Sequence, residues 1–246
     1  MADNKTLLND YMQRRRYKRL QPLAALVDMD GTLYDSMGNH AAAWEQMCRE
    51  IGLDVTYDEF FMYEGMTGAQ TIDLIFQRCR GRNATEEECK ELYHRKTEIF
   101  KTLPDVKMME GAKDLTDIMQ EVGMRRVLVT GSGQNSLLNR LDADFPGVFV
   151  SGMRVTSKDV THGKPHPEPF IRGMQLARVT PSQAIAIDNA PLGVKSAATS
   201  GAFTIGVVTG PISRTELEAA GAAIVYNSMR ECADEFPQLI YDMLTL

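Results

Sequence analysis

The chain has 246 residues, of which 43% are hydrophobic and 24% are charged, so it is long and apolar enough to bury a core. These proportions exclude a disordered chain, a collagen-like chain and a coiled coil. The formal net charge of −6 argues against sequence-independent binding to nucleic acid, because such binding needs a basic surface.

The four cysteines are scattered, with no CxxC pair and no zinc-like spacing, so we expect reduced thiols in a cytoplasmic protein. No apolar run is long enough to cross a membrane, and the first residues lack the apolar region of a signal peptide. Residues 1–19 are polar and then basic, and we interpret them as a solvated N-terminal extension ahead of the first strand. We expect no nucleic-acid partner and no membrane partner.

In chain order, a short apolar run at residues 23–27 predicts a buried strand that ends at Asp28. From residue 36 to residue 103, apolar residues recur at three- and four-residue steps, which predicts helices alone. After Pro104, β-type runs alternate with helical patterns. The predicted strands are 126–130, 148–150, 184–187, 203–207 and 223–225, and the predicted helices lie near 111–123, 134–142, 168–178, 191–200, 214–220 and 229–246.

Alternation of strands and helices predicts a parallel sheet with right-handed crossovers. The expected fold class is therefore α/β: a Rossmann-like, doubly wound core with an all-helical segment inserted after its first strand. The core would comprise residues 20–35 and 104–246, and the helical cap residues 36–103. The linkers near residues 34–36 and 103–105 would act as hinges.

Polar residues and a glycine stand at the ends of these strands and in one loop rich in glycine and proline. They are Asp28, Asp30, Thr130, Gly131, Ser132, Lys164, Asp188 and Asn189. Parallel sheets carry their chemistry at the carboxyl ends of the strands, so we expect these residues to converge on one crevice.

Asp28 and Asp30 are two residues apart, so an extended backbone points both carboxylates to the same side. Asp188 adds a third acid, and three acids in one crevice need a cation, for which hard oxygen ligands favour Mg²⁺. Lys164, the Thr130 hydroxyl and nearby backbone N–H groups complete a phosphate cradle. With a phosphate bound, Asp28 can act as a nucleophile and Asp30 as a general acid and base.

The segment Asp28-Met-Asp-Gly-Thr32 resembles the first motif of haloacid dehalogenase-type phosphohydrolases. Thr130, Lys164 in Gly-Lys-Pro and Asp188 match that family's hydroxyl, basic and acidic motifs in the right order, and the helical insertion matches its small cap. The resemblance covers the chain from about residue 20.

The resemblance implies a role for each matching residue. Asp28 would be the nucleophile and a ligand of Mg²⁺. Asp30 would protonate the leaving group and then deprotonate water, and its backbone carbonyl would also bind Mg²⁺. Thr130 and Lys164 would hold the transferring phosphoryl group, and Asp188 would complete the metal shell.

The nearest branch is the β-phosphoglucomutase-like one. His40 and Trp44 follow the nucleophile at the spacing of that branch's cap-hinge histidine and packing tryptophan. The segment Glu64-Gly-Met-Thr-Gly68 resembles its substrate-specificity loop, and the segment from Gly163 to Phe170 fits as well. Lys96, on a helix of the cap, either meets substrate or lies on a solvated face.

Two departures from that branch bear on the substrate. Asn189 follows Asp188, and Ile187 precedes it, where the branch usually has Glu-Asp-Ser, so one metal-binding carboxylate is absent. Gly68 stands where a mutase keeps the arginine that grips a second phosphate. The remaining acid, Glu64, is either an exposed cap residue or a group that reaches Mg²⁺ when the cap closes.

The combination of Glu64, Asp188 and Asn189 resembles the inorganic pyrophosphatases of this branch, so the first-choice substrate is pyrophosphate. A sugar-phosphate phosphatase and a β-phosphoglucomutase-type phosphohexomutase are alternatives. A non-catalytic phosphate-binding protein on the same fold is a further one. In each case the partner is a small phosphorylated molecule, and we expect a monomer.

Overall fold

The computed structural model describes residues 4–133 and 135–246. Residues 1–3 of the expected extension and residue 134, at the start of a predicted helix, lie outside that description. Eight strands are present in the described part. They are β1 (Ala24–Val27), β2 (Tyr34–Asp35), β3 (Lys107–Met108), β4 (Arg125–Val129), β5 (Arg154–Val155), β6 (Ala184–Asp188), β7 (Phe203–Val207) and β8 (Ile224–Tyr226).

Six of these strands form one parallel sheet in the order β5-β4-β1-β6-β7-β8. Strand β1 lies at the centre, where Val27 pairs with Leu128 on one side and with Ile187 on the other. Every residue of β1, β6 and β7 is buried, because helices cover both faces of a parallel sheet, which explains their continuous apolar runs. The α/β fold expected from the sequence is confirmed.

Ten α-helices surround or precede this sheet in the described residues. They are α1 (Asn4–Arg15), α2 (Met37–Glu50), α3 (Gly68–Arg80), α4 (Glu86–Thr102), α5 (Ala112–Glu121), α6 (Asn135–Asp144), α7 (Glu168–Ala177), α8 (Pro191–Ser200), α9 (Arg214–Ala220) and α10 (Met229–Thr245). None of these helices combines the length and the apolar character that crossing a bilayer requires.

The strand predicted at residues 148–150 is wrong. Val148 and Phe149 are buried, but they belong to a turn in which the Val148 N–H donates to the Phe145 carbonyl at 3.1 Å. The strand of this region is β5, an edge strand six residues later. The apolar run fills the core from a turn, with the Phe149 ring packed edge-on against Phe145, so its hydrophobicity does not report strand pairing.

Between the first two strands of the parallel sheet, the chain forms helices α2, α3 and α4 and a 3₁₀ turn at Asp58–Phe61. Thr67 and Thr85 begin α3 and α4 with capping boxes, which pair the N–H groups of the cap residue and of the third helical residue. The chain leaves and re-enters the sheet region through β2 and β3, which pair antiparallel. The two crossings therefore lie side by side; β2 coincides with the predicted linker at residues 34–36, and β3 lies just after the one predicted at residues 103–105.

The basic extension is more structured than the solvated segment expected. Helix α1 buries Leu8 and Tyr11, and the Tyr11 hydroxyl donates to the Ala202 carbonyl at 2.9 Å beside β7. Arg14 and Arg16 are exposed. The basic residues therefore lie at the solvated end of a helix that packs on the core through its other face. That packing is possible because aromatic and aliphatic residues alternate with the charged ones.

Candidate active site

Three buried charged side chains meet at the carboxyl ends of the two central strands. Asp28 follows β1, Asp188 ends the neighbouring β6, and Lys164 lies in the loop before α7. Lys164 Nζ donates to Asp28 Oδ1 at 2.6 Å and to Asp188 Oδ2 at 2.7 Å. Parallel pairing of β1 with β6 brings the two carboxylates together, and the lysine lies between them.

A glycine shapes the position of Asp188. A side chain at Gly193, in the first turn of α8, would place its Cβ 2.1 Å from both carboxylate oxygens of Asp188. The Ala190 N–H also donates to Asp188 Oδ1 at 3.0 Å. The carboxylate therefore lies directly against the start of the helix, which restricts residue 193 to glycine.

Asp30 belongs to a second chain of contacts that leads into the inserted helices. Its Oδ1 accepts hydrogen bonds from Ser36 Oγ at 2.7 Å and from His40 Nε2 at 2.8 Å. On the other side of the imidazole, Lys96 Nζ donates to His40 Nδ1 at 2.5 Å. That contact leaves the Nε2–H of His40 to donate to Asp30, so the three groups form one continuous hydrogen-bonded chain.

Lys96 is buried, so the alternative of a solvated helix face is wrong. Its side chain is wedged between aromatic rings, with Nζ 5.2 Å from the centroids of Trp44 and of Phe100. Burial lowers the pKa of Lys96 to about 7. The sequence pattern missed this, because a lysine at a core-facing helix position is rare without a partner.

The two aspartates of the first motif have opposite ionisation tendencies. Burial raises the pKa of Asp28 to about 8, and the charges of Asp188 and Asp30 add to that rise against the opposing effect of Lys164. Burial acts in the same direction on Asp30, but the charge and hydrogen bond of His40, with the Ser36 hydrogen bond, outweigh it and lower its pKa. Carboxyl pairs whose pKa values are driven apart are typical of acid–base chemistry.

Glu64 is buried at the same site, so the alternative of an exposed cap residue is wrong. Its Oε1 accepts a hydrogen bond from Asn189 Nδ2 at 2.8 Å, and Thr32 Oγ1 donates to Asn189 Oδ1 at 3.1 Å. Burial raises the pKa of Glu64 well above its usual value. Gly31 has a φ of +78°, and a Cβ there would lie 2.1 Å from Asn189 Nδ2, so this contact also requires a glycine.

Residues after β4 provide the remaining wall of the site. Thr130, Gly131 and Ser132 line the cavity, and Thr130 Oγ1 accepts a hydrogen bond from the Ser132 N–H at 3.0 Å. A Cβ on Gly131 would lie 2.4 Å from the Gly65 carbonyl oxygen of the inserted segment. The inserted segment and the core therefore touch backbone to backbone beside the predicted phosphate cradle.

Tyr93 is a site residue that sequence reasoning did not identify. Its ring lies against Gly68, where a Cβ would approach a ring carbon to 2.2 Å, and its hydroxyl accepts from the Gly133 N–H at 3.2 Å. Tyr93 thus fills the space beside Gly68 and joins α4 to the loop after β4. The only sequence signal is its position three residues before Lys96, on the same helix face.

A cavity of about 60 Å³ lies between the core and the inserted helices, and Asp28, Asp188, Glu64 and Lys96 are among the residues that line it. A single water needs roughly 10–15 Å³, so this space corresponds to a group of a few heavy atoms. Asp28, Asp188 and Glu64 are buried close together, and the Lys164 ammonium contacts only the first two, so burial disfavours ionisation of all three carboxylates at once. A divalent cation with a preference for oxygen ligands fits this donor set.

Comparison with known proteins places the chain in a family. A family model described as haloacid dehalogenase-like hydrolase matches residues 25–207. A solved structure described as a putative β-phosphoglucomutase from Bacteroides vulgatus is 38% identical, with a TM-score of 0.94 and a match that covers 98% of each chain.

Two further relatives are phosphatases by name. Validoxylamine A 7'-phosphate phosphatase of Streptomyces hygroscopicus subsp. limoneus is 28% identical over 75% of this chain and 85% of its own length. Hexitol phosphatase A of Escherichia coli (strain K12) is 28% identical over 74% of this chain and 81% of its own length. The chain therefore belongs to the haloacid dehalogenase-like hydrolase family, in its β-phosphoglucomutase-like branch.

Proposed function

We propose that this enzyme is a Mg²⁺-dependent phosphatase that hydrolyses the phosphate ester of a small phosphorylated carbohydrate through an aspartyl phosphate on Asp28. The observation that carries the proposal is the buried contact of Lys164 with both Asp28 and Asp188, next to an Asp30 of opposite ionisation tendency. The relatives that act on validoxylamine A 7'-phosphate and on hexitol phosphates support the substrate class.

In the first half of the reaction, a carboxylate oxygen of Asp28 attacks phosphorus and the alkoxide of the substrate leaves with a proton from Asp30. In the second half, Asp30 takes a proton from water, which attacks the aspartyl phosphate and releases inorganic phosphate. Asp30 is held here in its ionised form, the form that the second half needs. His40 and Lys96, whose pKa values burial lowers, are hydrogen-bonded in series behind it and are placed to supply its proton.

Lys164 and the residues from Thr130 to Ser132 would orient the phosphoryl group. Mg²⁺, when bound, would neutralise charge on the phosphoryl oxygens, and Asp28, Asp188 and the backbone carbonyl of Asp30 would hold it. Glu64 is the candidate for a further ligand, in place of the acid that Ile187 and Asn189 do not provide. The cap closes over this set and excludes bulk water.

The test is phosphate release with Mg²⁺ over a panel of hexose phosphates, hexitol phosphates, β-glucose 1-phosphate and pyrophosphate. Asp28→Asn should lower kcat/KM by at least about a thousandfold, since it removes the nucleophile. Asp54→Asn, at an exposed position of the cap, is the matched control and should behave as wild type. Full turnover by Asp28→Asn would rule out the aspartyl-phosphate route, and no turnover on any substrate would favour a non-catalytic phosphate-binding protein.

Pyrophosphate is a second candidate substrate, favoured by one specific observation. Glu64 lines the cavity and accepts a hydrogen bond from Asn189 of the core. At this position its carboxylate would be a further ligand for a metal ion that binds a small, doubly charged substrate. The motif residues favour pyrophosphate as the first-choice substrate, but the named relatives act on phosphorylated organic compounds, so pyrophosphate is the second candidate.

Glu64→Ala separates the two candidates. If pyrophosphate is the substrate, it should lead the panel by orders of magnitude in kcat/KM, and Glu64→Ala should remove that lead. If a carbohydrate phosphate has the highest kcat/KM, Glu64 does not select pyrophosphate, and the proposed role of Asp28 is unaffected. Glu87→Gln, on the exposed side of α4, controls for loss of a cap carboxylate.

A phosphomutase must also grip the second phosphate of a bisphosphate intermediate, and the cap loop lacks a cation at the expected position. Gly68 takes that position, and the Tyr93 ring fills the space beside it. We therefore expect β-glucose 1-phosphate to give inorganic phosphate. Formation of glucose 6-phosphate without phosphate release would show instead that the enzyme is a mutase.

A further inference from the structure

Outside the active site, the loop that carries Lys164 bears two histidines on its solvent side, and a glutamate beside them is the first residue of α7. We propose that His162, His166 and Glu168 form a binding site for a transition-metal ion of the Zn²⁺ class, separate from the Mg²⁺ site. Within residues 4–133 and 135–246, this is the one group of three or more His, Cys, Asp or Glu side chains whose ligand atoms all lie within 4.8 Å of one another.

The distances suit a small tetrahedral ion. His162 Nδ1 lies 3.0 Å from Glu168 Oε2, and His166 Nδ1 lies 3.9 Å from the same oxygen. Tetrahedral Zn²⁺ with bonds of about 2.0–2.2 Å holds its ligand atoms about 3.3–3.5 Å apart. These two separations lie on either side of that value, and all three ligand atoms lie within 4.8 Å of one another, so rotation of the exposed side chains can bring them to tetrahedral positions.

The carboxylate is already oriented by the backbone. Glu168 Oε1 accepts from the Thr161 N–H at 2.8 Å, and Oε2 accepts from the His162 N–H at 2.9 Å. Metal binding must displace two existing contacts: the 3.0 Å hydrogen bond between His162 Nδ1 and Glu168 Oε2, and a 3.2 Å hydrogen bond that His166 Nδ1 accepts from the Glu168 N–H. The second bond is long for its type, so its loss is small beside a metal–nitrogen bond.

The chemistry of the ligands separates this site from the catalytic acids. Two imidazoles and one carboxylate favour Zn²⁺, Co²⁺, Ni²⁺ or Cu²⁺, whereas the all-oxygen set of the active site favours Mg²⁺. The side chains of His162, His166 and Glu168 are 61%, 51% and 30% exposed, so an ion can enter from solvent and keep water as its fourth ligand.

The position of the site gives it a consequence for the loop. Its ligands stand two residues before Lys164 and two and four residues after it, while the lysine side chain points inward to Asp28 and Asp188. A bound ion would therefore join the two ends of the segment that presents Lys164. Because the ion binds the folded loop better than the unfolded chain, the temperature of unfolding should rise once the metal concentration exceeds Kd.

The test uses the full chain without a polyhistidine tag, in a Cys79→Ser background that removes the exposed thiol, with excess Mg²⁺ present. Zn²⁺ is titrated by calorimetry, and Co²⁺ by the visible absorption bands of a tetrahedral ion. We expect one equivalent to bind, and His162→Ala and His166→Ala each to weaken binding by at least about tenfold. His94→Ala, at an exposed histidine on α4, should bind as the parent does.

The proposal is overturned if either loop variant binds Zn²⁺ as tightly as the parent, or if His94→Ala loses binding equally. It is also overturned if Co²⁺ gives only the weak absorption of an octahedral oxygen site. All three histidines are exposed, so the variants should remain folded, which circular dichroism checks. His162→Gln and His166→Gln provide polar replacements that must show the same loss.

Discussion

Asp28 and Asp30 are two residues apart in the chain, but their carboxylates have different partners. Asp28 contacts Lys164 of the core, whereas Asp30 contacts His40 and, through it, Lys96 of the inserted helices. The lowered pKa of Asp30 therefore depends on a side chain of the inserted helices. The strand-end position of both acids follows from the sequence, but this division does not, because His40 and Lys96 meet only in the folded cap.

Lys96 makes stability depend on pH in a direction that can be worked out. Its pKa falls from 10.5 in the unfolded chain to about 7 in the folded protein, mainly through burial and against the opposing charge of Asp30. Between these values the unfolded state binds one more proton at this group, so the contribution of Lys96 to the free energy of unfolding rises with pH by up to about 1.4 kcal/mol per unit.

Lys96→Met has no such proton. The difference in the free energy of unfolding, variant minus wild type, should be most positive below pH 7 and should shrink steadily towards pH 10. Urea denaturation at pH 6, 8 and 9.5 measures it, with the exposed Lys195→Met as control. A difference that stays constant over this range would contradict the lowered pKa. The Lys96 charge is one of the causes that lower the pKa of His40, so the change between pH 8 and pH 9.5, where His40 is neutral in both proteins, isolates Lys96.

Gly68 and Tyr93 should be energetically coupled. A Cβ at Gly68 would lie 2.2 Å from a carbon of the Tyr93 ring, so Gly68→Ala should cost about 1–3 kcal/mol of stability through overpacking. In a Tyr93→Ala background, the loss of stability caused by Gly68→Ala should be smaller by at least about 1 kcal/mol. Denaturant titrations of the four proteins measure the coupling, with Gly152→Ala as control because open space surrounds that glycine. Additive effects would mean that the ring does not fill this space.

The sequence predicts the charged residues of the core site better than it predicts the walls. Asp28, Lys164 and Asp188 stand at the ends of strands or in a punctuated loop, where topology alone brings them together. Tyr93 and the buried state of Glu64 depend on how the inserted helices pack on the core. No periodicity within one helix contains that information.

At the scale of elements, the first helix packs on the core although its sequence is rich in charged residues. Helix α1 has a dense run of charges, but Leu8 is fully buried and Tyr11 donates a hydrogen bond beside β7. The wrong strand at residues 148–150 has the opposite cause, since buried apolar residues of a turn resemble a strand. Both errors arise because burial in this protein follows tertiary contacts that local composition does not contain.

Helix α1 should therefore contribute to global stability. Leu8→Ala leaves a cavity between α1 and the core and should cost about 2–5 kcal/mol. Gln13→Ala, on the exposed face of the same helix, should change stability by no more than about 0.5 kcal/mol. Urea unfolding monitored by circular dichroism compares the two variants. Equal, small effects would mean that α1 is dispensable for the fold.

At the scale of the whole molecule, the inserted helices meet the core at two places with different character. On one side, β2 and β3 pair as neighbouring strands, and Asn39 Nδ2 donates to the Pro104 carbonyl at 2.7 Å. On the other, the contacts surround the cavity, where Glu64 meets Asn189 and Tyr93 meets Gly133. A rotation about the paired strands would open the second set without breaking the core. We propose that substrate enters by this motion.

Gly131→Ala tests whether catalysis requires the close contact between Gly131 and the inserted segment. An added Cβ would lie 2.4 Å from the Gly65 carbonyl oxygen and 3.0 Å from that of Met66, both in the inserted segment. The added methyl group should hold the inserted segment away from the core without disturbing the fold of the core. The inserted side chains would then be misplaced relative to Asp28, so kcat/KM should fall at least about tenfold. The melting temperature should shift by no more than about 2–4 °C. Gly152→Ala controls for the added methyl group, and wild-type turnover by Gly131→Ala would show that catalysis proceeds without this contact.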